Sequence, residues 1–492
     1  MKPQRMPFPG KLEKNLLEYV TQGGSLELFN CYIDKAQAIH KRPGLFFSQQ
    51  LNVVGGVQAM YYWAAKSKLV VVAGGKVYAS SGLNSALTSV SGSLRLLELG
   101  PAKIVDTGYW LYICSSSGKM AQWNGTDQAT HVADGAAPIN VSSITYLNQR
   151  VIANELGTNR FWYTAPPSLT TPTDALVWTG YLEYGRTGED NVGVATVNGE
   201  LIVFKRDQFM SFFDDGSTPY RPITGSQHFH GLMSARAMDL FDDALFFVSP
   251  DKEIRVISNR EVRSASEGDL NRELSKLRNA TDAVALRLDR HMLFTFPNEE
   301  KTFTFDPILG AWGQFSTYSA GRDRAFLARC SERLPTVGDT DSWIIGAEDS
   351  KVYYYDAGAY TDAGEPIRVL VRTPHNSWGT SYKKHTARLV MKVSTDQLRD
   401  PELFSLELPD AMRCVLYYHQ FTLPEGVVIS ISGLPSGLTA SQTDNVLTIS
   451  GTILAFTGTA TVTITVRDER GAQYSFDRPL VVSDYDIEMG VL

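Results

Sequence analysis

The chain has 492 residues, 43% hydrophobic and 20% charged, so it is a folded protein, too long for one ordinary core unless its architecture repeats. Forty glycines beside 22 Tyr and 23 Phe favour β-structure joined by many tight turns. A net charge of −7 argues against a general nucleic-acid binder, since neutralising phosphates takes an excess of Lys and Arg, but not against a protein that DNA slides past.

In chain order, MKPQRMPFPGKLEKN is positively charged without an apolar core, which speaks against a secretory signal peptide. No apolar run approaches the ~20 residues of a membrane helix. Residues 1–54 read as an arm joining the structure ahead, with Pro43-Gly44 marking a turn. From 55 to 400 one unit recurs: an apolar strand, a short polar turn, and a strand rich in Tyr, Phe or Trp. It appears as VVVAGGKVYAS (71–81), YWLYICSSSGKMAQW (109–123), RVIANELGTNRFWYT (150–164) and ELIVFKRDQFMSFF (200–213). It returns as ALFFVSPDKEIRVIS (244–258), HMLFTFPNEEKTFTF (291–305) and SWIIGAEDSKVYYYD (342–356). The residues just after the turn, Lys76, Lys119, Arg160, Gln208, Glu253, Lys301 and Lys351, are spaced by 43, 41, 48, 45, 48 and 50. That is the ~40–50-residue period of propeller blades.

Each unit has a further strand in front, most clearly in VGVATVNGELIVFKRDQFMSFF, where Asn198-Gly199 is a strong hairpin signal. The strands read as continuous apolar runs, as sheets covered on both faces do. The expectation is an all-β fold, a six- or seven-bladed β-propeller followed by a C-terminal immunoglobulin-like β-sandwich. Trp-Asp, Gly-His and sialidase-type Asp-box signatures are absent; FDPILGAWGQF (305–315) reads as a turn.

Two insertions interrupt the period. Residues 216–235, GSTPYRPITGSQHFHGLMSA, form a long Pro/Gly-containing loop. Residues 262–280 read as a helix, with Ser266 as its cap and Leu270, Leu274 and Leu277 on one face. Farther on, KHTARLVMKV (384–393) reads as an exposed sheet strand. Residues 404–484 read as a half-exposed sandwich, since 428–476 alternate cleanly, as in TATVTITV. ISGLPSGL, LTISGT and VTITVRDERG there resemble the immunoglobulin-like modules of bacterial and phage surface proteins. Residues 485–492 form a tail.

Chemistry-bearing patterns are sparse. GxSxG, HExxH, Walker and GxGxxG motifs are missing. His228 and His230 could be two metal ligands, but no third is identifiable nearby. Asp214-Asp215, Asp242-Asp243 and Glu299-Glu300 lie at expected turns, and Asp468 and Glu469 sit near a strand end as a solvated turn. The scattered Cys31, Cys114, Cys330 and Cys414 read as buried free thiols, and folding in a reducing cytoplasm follows. The sequence therefore names no catalytic, cofactor-binding or metal-binding residue, and the expectation is a non-enzymatic protein.

The order of features resembles the tail hub, or nozzle, proteins of short-tailed phages, a group that includes packaged-DNA-stabilisation proteins. NCYIDKAQAIHKRPGL, AGGKVY, GTNRFWYTAPP and VGVATVNGELIVFKRDQFMSFF carry it in that order. SASEGDLNRELSKLRNATDAVALRLDRHMLFTFPNEEKTFTFD, a helix followed by a meander, is its most persuasive piece, and the match spans roughly residues 28–395. The resemblance implies a structural virion protein, assembled in the bacterial host cytoplasm into a hexameric ring below the portal and adaptor. Such a ring encloses the DNA exit channel without reading sequence, docks tailspikes or fibres and a tail needle, and touches no membrane. The C-terminal module departs from the simplest members. The alternative is a carbohydrate-binding or carbohydrate-cleaving β-propeller with an accessory β-sandwich.

Overall fold

A computed structural model describes residues 27–35, 38–82, 85–100, 102–116, 118–186, 188–216, 219–266, 268–335, 342–372, 408, 410–412, 416–422, 428–443, 446–467 and 473–483. Their regular secondary structure is almost wholly strand. The chain divides into two compact units, one built mainly from residues 47–356 and one mainly from residues 380–492. Among the described residues no helix is long and apolar enough to cross a membrane.

The larger unit is a succession of seven antiparallel meander sheets in a propeller-like arrangement. Their first strands are Val57–Trp63, Ala102–Asp106, Ile144–Leu147, Asn191–Val197, Met238–Phe241, Val284–Leu288 and Ala328–Leu334. First strands of consecutive sheets lie side by side, and the seventh returns to the first; between the fourth and fifth the approach is made at Gly193 and Met238. The periodic residues mark the turn between second and third strands in every sheet, as at Gly74-Gly75, where both φ values are positive. Asn198-Gly199 also has positive φ at both positions and closes the expected hairpin.

Continuous apolar strands arise because each sheet is covered on both faces. Leu69–Ala73, Leu111–Cys114 and Leu201–Phe204 are buried throughout. The core is accordingly a set of wedges between neighbouring sheets. Leu111, Ile113 and Trp123 meet Trp63 and Val72 between the first and second sheets. Tyr112 and Cys114 meet Val151 and Ala153 between the second and third.

Three expectations need correction. The arm is not outside the repeat, because Gly44–Gln50 is the fourth strand of the seventh sheet, beside Lys351–Asp356. Glu27–Phe29 and Leu370–Arg372 likewise extend the sixth sheet outward. There the fully buried Arg42 donates to Asn30 Oδ1 at 3.0 Å and to the Ser316 carbonyl at 2.8 Å, and its guanidinium lies 4.8 Å from the Phe326 ring centre. Second, loop 216–235 is partly sheet: Arg221–Pro222 pairs with Phe209–Phe213 as the fourth strand.

Third, the helix expected over 262–280 spans only Asp269–Ser275, because Glu261–Ser264 pairs as the outer strand of the fifth sheet. Ser266 does not cap it; its hydroxyl accepts the Ile254 N–H instead, and Gly268 holds the N-cap position. Leu270, Leu274 and Leu277 are buried, as their spacing requires.

The smaller unit contains a four-stranded sheet, formed by Ala411–Met412, Gln473–Ser483, Gly458–Arg467 and Val428–Ser432. Leu416–Thr422, Val446–Thr452 and Leu438–Thr443 form a three-stranded sheet. Their inward residues, among them Tyr417, Leu447, Ile449, Val462, Ile464 and Leu480, share one core, so the two sheets form a sandwich.

Candidate functional site

The first strands, adjoining at the centre of the larger unit, carry an unusual density of polar groups. Tyr61 donates its hydroxyl to Asp106 Oδ2 at 3.1 Å, joining the first and second sheets. Thr145 and Thr196 hydroxyls meet at 2.8 Å between the third and fourth. Asp239 of the fifth sheet accepts the Arg287 N–H of the sixth at 2.8 Å and also the Leu240 N–H. Glu332 of the seventh sheet accepts the backbone N–H of Tyr62 in the first. The strands at the axis are thus fastened by side chains reaching across from the neighbouring sheet.

Low-dielectric surroundings shift these groups toward neutrality. Burial pushes the Glu332 carboxyl up to about 8, the Tyr62 N–H opposing and Asp239 adding to the rise. Burial raises Asp239 and lowers Lys103, whose charges partly restrain one another. Each keeps partial solvent contact. The sequence reading passed over these residues. The available signal was charge placed within first strands, as in AKIVD, MDLF and ARCSERL.

The candidate residues named from the sequence are placed elsewhere. His228 stacks on Phe209 with ring centres 5.0 Å apart, and its backbone bridges to the same residue. Burial and then His230 hold His228 below the ordinary imidazole value. Burial and then Arg255 do the same for His230. Among the described residues no three His, Cys, Asp or Glu come together as a metal cluster. Asp214 pairs with Arg150 at 3.7 Å, Asp215 with Arg221 at 3.2 Å and Asp242 with Arg287 at 3.0 Å. Glu299 accepts the Arg278 and Asn279 N–H groups, and Glu300 pairs with Arg322 at 2.8 Å. Cys31, Cys114 and Cys330 are free thiols, each pushed up to about 12, chiefly by burial. Cys414, Asp468, Glu469 and the 384–393 stretch lie outside the described residues.

A second polar feature is a cavity of about 260 Å³ between the fourth and fifth sheets. Val197, Ile202 and Ile257 supply its apolar part; Asn198, Glu200, Ser211, Asn259 and Arg260 supply its polar part.

No family model and no curated protein sequence matches the chain. Among solved structures, the chain is similar to the computationally designed Ika8 protein, at 11% identity and a TM-score of 0.39, over 63% of this chain and 99% of that one. It is also similar to a chain of a mitotic checkpoint complex, at 9% identity and a TM-score of 0.40, over 64% and 94% respectively. Both likenesses are too distant to bear on function.

Proposed function

We propose that the chain is a structural virion protein, the tail hub or nozzle of a short-tailed phage. In this reading the seven sheets are the blades of a seven-bladed propeller, and the C-terminal sandwich is an immunoglobulin-like module. The observation that carries the reading is the segment most like those proteins, SASEGDLNRELSKLRNATDAVALRLDRHMLFTFPNEEKTFTFD. It folds as the helix Asp269–Ser275 followed by the first three strands of the sixth sheet. The order of a connecting helix and then a meander is therefore a property of this fold and not only of the letters.

Physical features suit the role. Sheets covered on both faces leave only short edges and make a stiff wedge. Six copies of a chain with net charge −7 make an acidic ring, along which DNA phosphates slide without adhering. Ring closure takes two different, complementary faces on each subunit. The test is negative-stain imaging of the full chain, alone and mixed with a portal–adaptor complex. Six-fold rings seated below the adaptor are expected. A particle that stays monomeric and never joins the portal assembly refutes the proposal.

A further inference from the structure

The cavity between the fourth and fifth sheets is lined by apolar and polar side chains together. Val197, Ile202 and Ile257 are buried beneath it and leave only a small apolar area open. Around them stand two carboxamides, Asn198 and Asn259, the Ser211 hydroxyl, and the Glu200–Arg260 pair. Arg260 donates through Nε to Glu200 Oε1 at 2.6 Å and through a terminal nitrogen to the same oxygen. The Glu200 side chain is only 13% exposed, whereas that of Arg260 is 67% exposed. The polar wall is held by two tight turns, Asn198-Gly199 and Asn259-Arg260, with positive φ at all four positions. Such two-residue turns are rigid, and their second place favours glycine. An arginine at φ 67° is therefore a backbone cost kept at the site itself.

We propose that this cavity binds one neutral sugar ring. The two charges in the lining already cancel, so a phosphate would meet the Glu200 carboxylate and a metal cation would meet one carboxylate beside a guanidinium. A purely apolar ligand would leave the carboxamides unpaired at a desolvation cost. A pyranose answers this lining: each hydroxyl donates and accepts, while a C–H edge meets the small apolar area that the three aliphatic side chains leave open. At about 260 Å³ the cavity falls just below the ~300–1,000 Å³ of drug-sized pockets, which suits one ring. The site is independent of the proposed ring assembly, and each stands if the other fails.

The test is saturation-transfer-difference NMR on the full chain with glucose, galactose, mannose, rhamnose, N-acetylglucosamine and N-acetylgalactosamine at millimolar concentration. At least one sugar is expected to receive transfer, displaced by excess of itself. Arg260→Gly suits the turn's backbone and keeps the fold, as a thermal melt verifies; it is expected to weaken binding at least tenfold. Glu200→Gln, nearly the same shape, is expected to weaken it as well. Silence from all six sugars, or a signal unchanged in both variants, overturns the proposal.

Discussion

Gly346, in the strand SWIIGA, sits where the seventh sheet meets the first. A Cβ there would lie 2.3 Å from Val57 Cγ1 and 2.6 Å from Cys330 Sγ, so the constraint is steric. Gly346→Ala is expected to cost about 1–3 kcal/mol by overpacking, read as a lower urea midpoint. A midpoint equal to the parent's would show that the seam relaxes freely. Glu332 is on the same seam. Its folded value of about 8 stands above the ordinary 4.5, so the folded state holds a proton that the unfolded state has released between those values. Its contribution to stability is complete below pH 4.5 and is lost as the pH rises through 8. Glu332→Gln removes that loss, so the variant's stability relative to the parent should grow from pH 5 to about pH 8 and level off above it in urea melts. Parallel curves for the two proteins would contradict the burial of this carboxyl.

At the scale of elements, the strand Gly44–Gln50 and the residue that follows it are the fastening of the larger unit. Leu51 is 2% exposed and packs with Val57, Leu69, Ile344 and Val352, bringing the chain's early segment, the first sheet and the seventh together. The Leu51 N–H donates to the Ser350 carbonyl, and the Ser350 hydroxyl donates to the Val53 carbonyl. Leu51→Ala is expected to lower stability by about 2–5 kcal/mol and to expose the 44–50 segment to proteolysis before the remaining sheets. Loss of all sheets at one temperature with no early cleavage would argue that the strand is not a separate fastening. The second and third strands of each sheet were legible because four or five apolar residues around a polar turn have no other stable home. The fourth strands were not, since Thr130–His131 and Arg221–Pro222 are two residues long and carry no period. GLFFSQQ belongs to a sheet whose other strands lie some 300 positions away, as the Gln50–Asp349 hydrogen bond shows, and local pattern cannot announce that.

At the scale of the whole molecule, the sequence conveyed the period and with it the fold class, because repetition is a property of the entire chain. It did not convey the sites. The axial groups Lys103, Asp239 and Glu332 come from three different sheets, and the sugar cavity joins Glu200 to Arg260 across sixty positions. Each sits in an ordinary-looking strand or turn, and only the pairing of neighbouring sheets brings them together. Of the carboxylates and histidines that drew the eye in the sequence, Asp214, Asp215, Asp242, Glu299, Glu300 and His228 each have a partner of their own.

The fastening strand has a consequence in time. Ser350 and Val53 are 297 positions apart, so during synthesis residues 44–50 emerge long before any partner for them exists. The intervening hairpins are local and form as they appear, whereas the last pairing awaits residues 351–356 and must close a loop of nearly three hundred residues. Until then the first and seventh sheets each present an uncovered apolar face. A nascent chain in that condition is the form most exposed to pairing with its neighbours on the polysome.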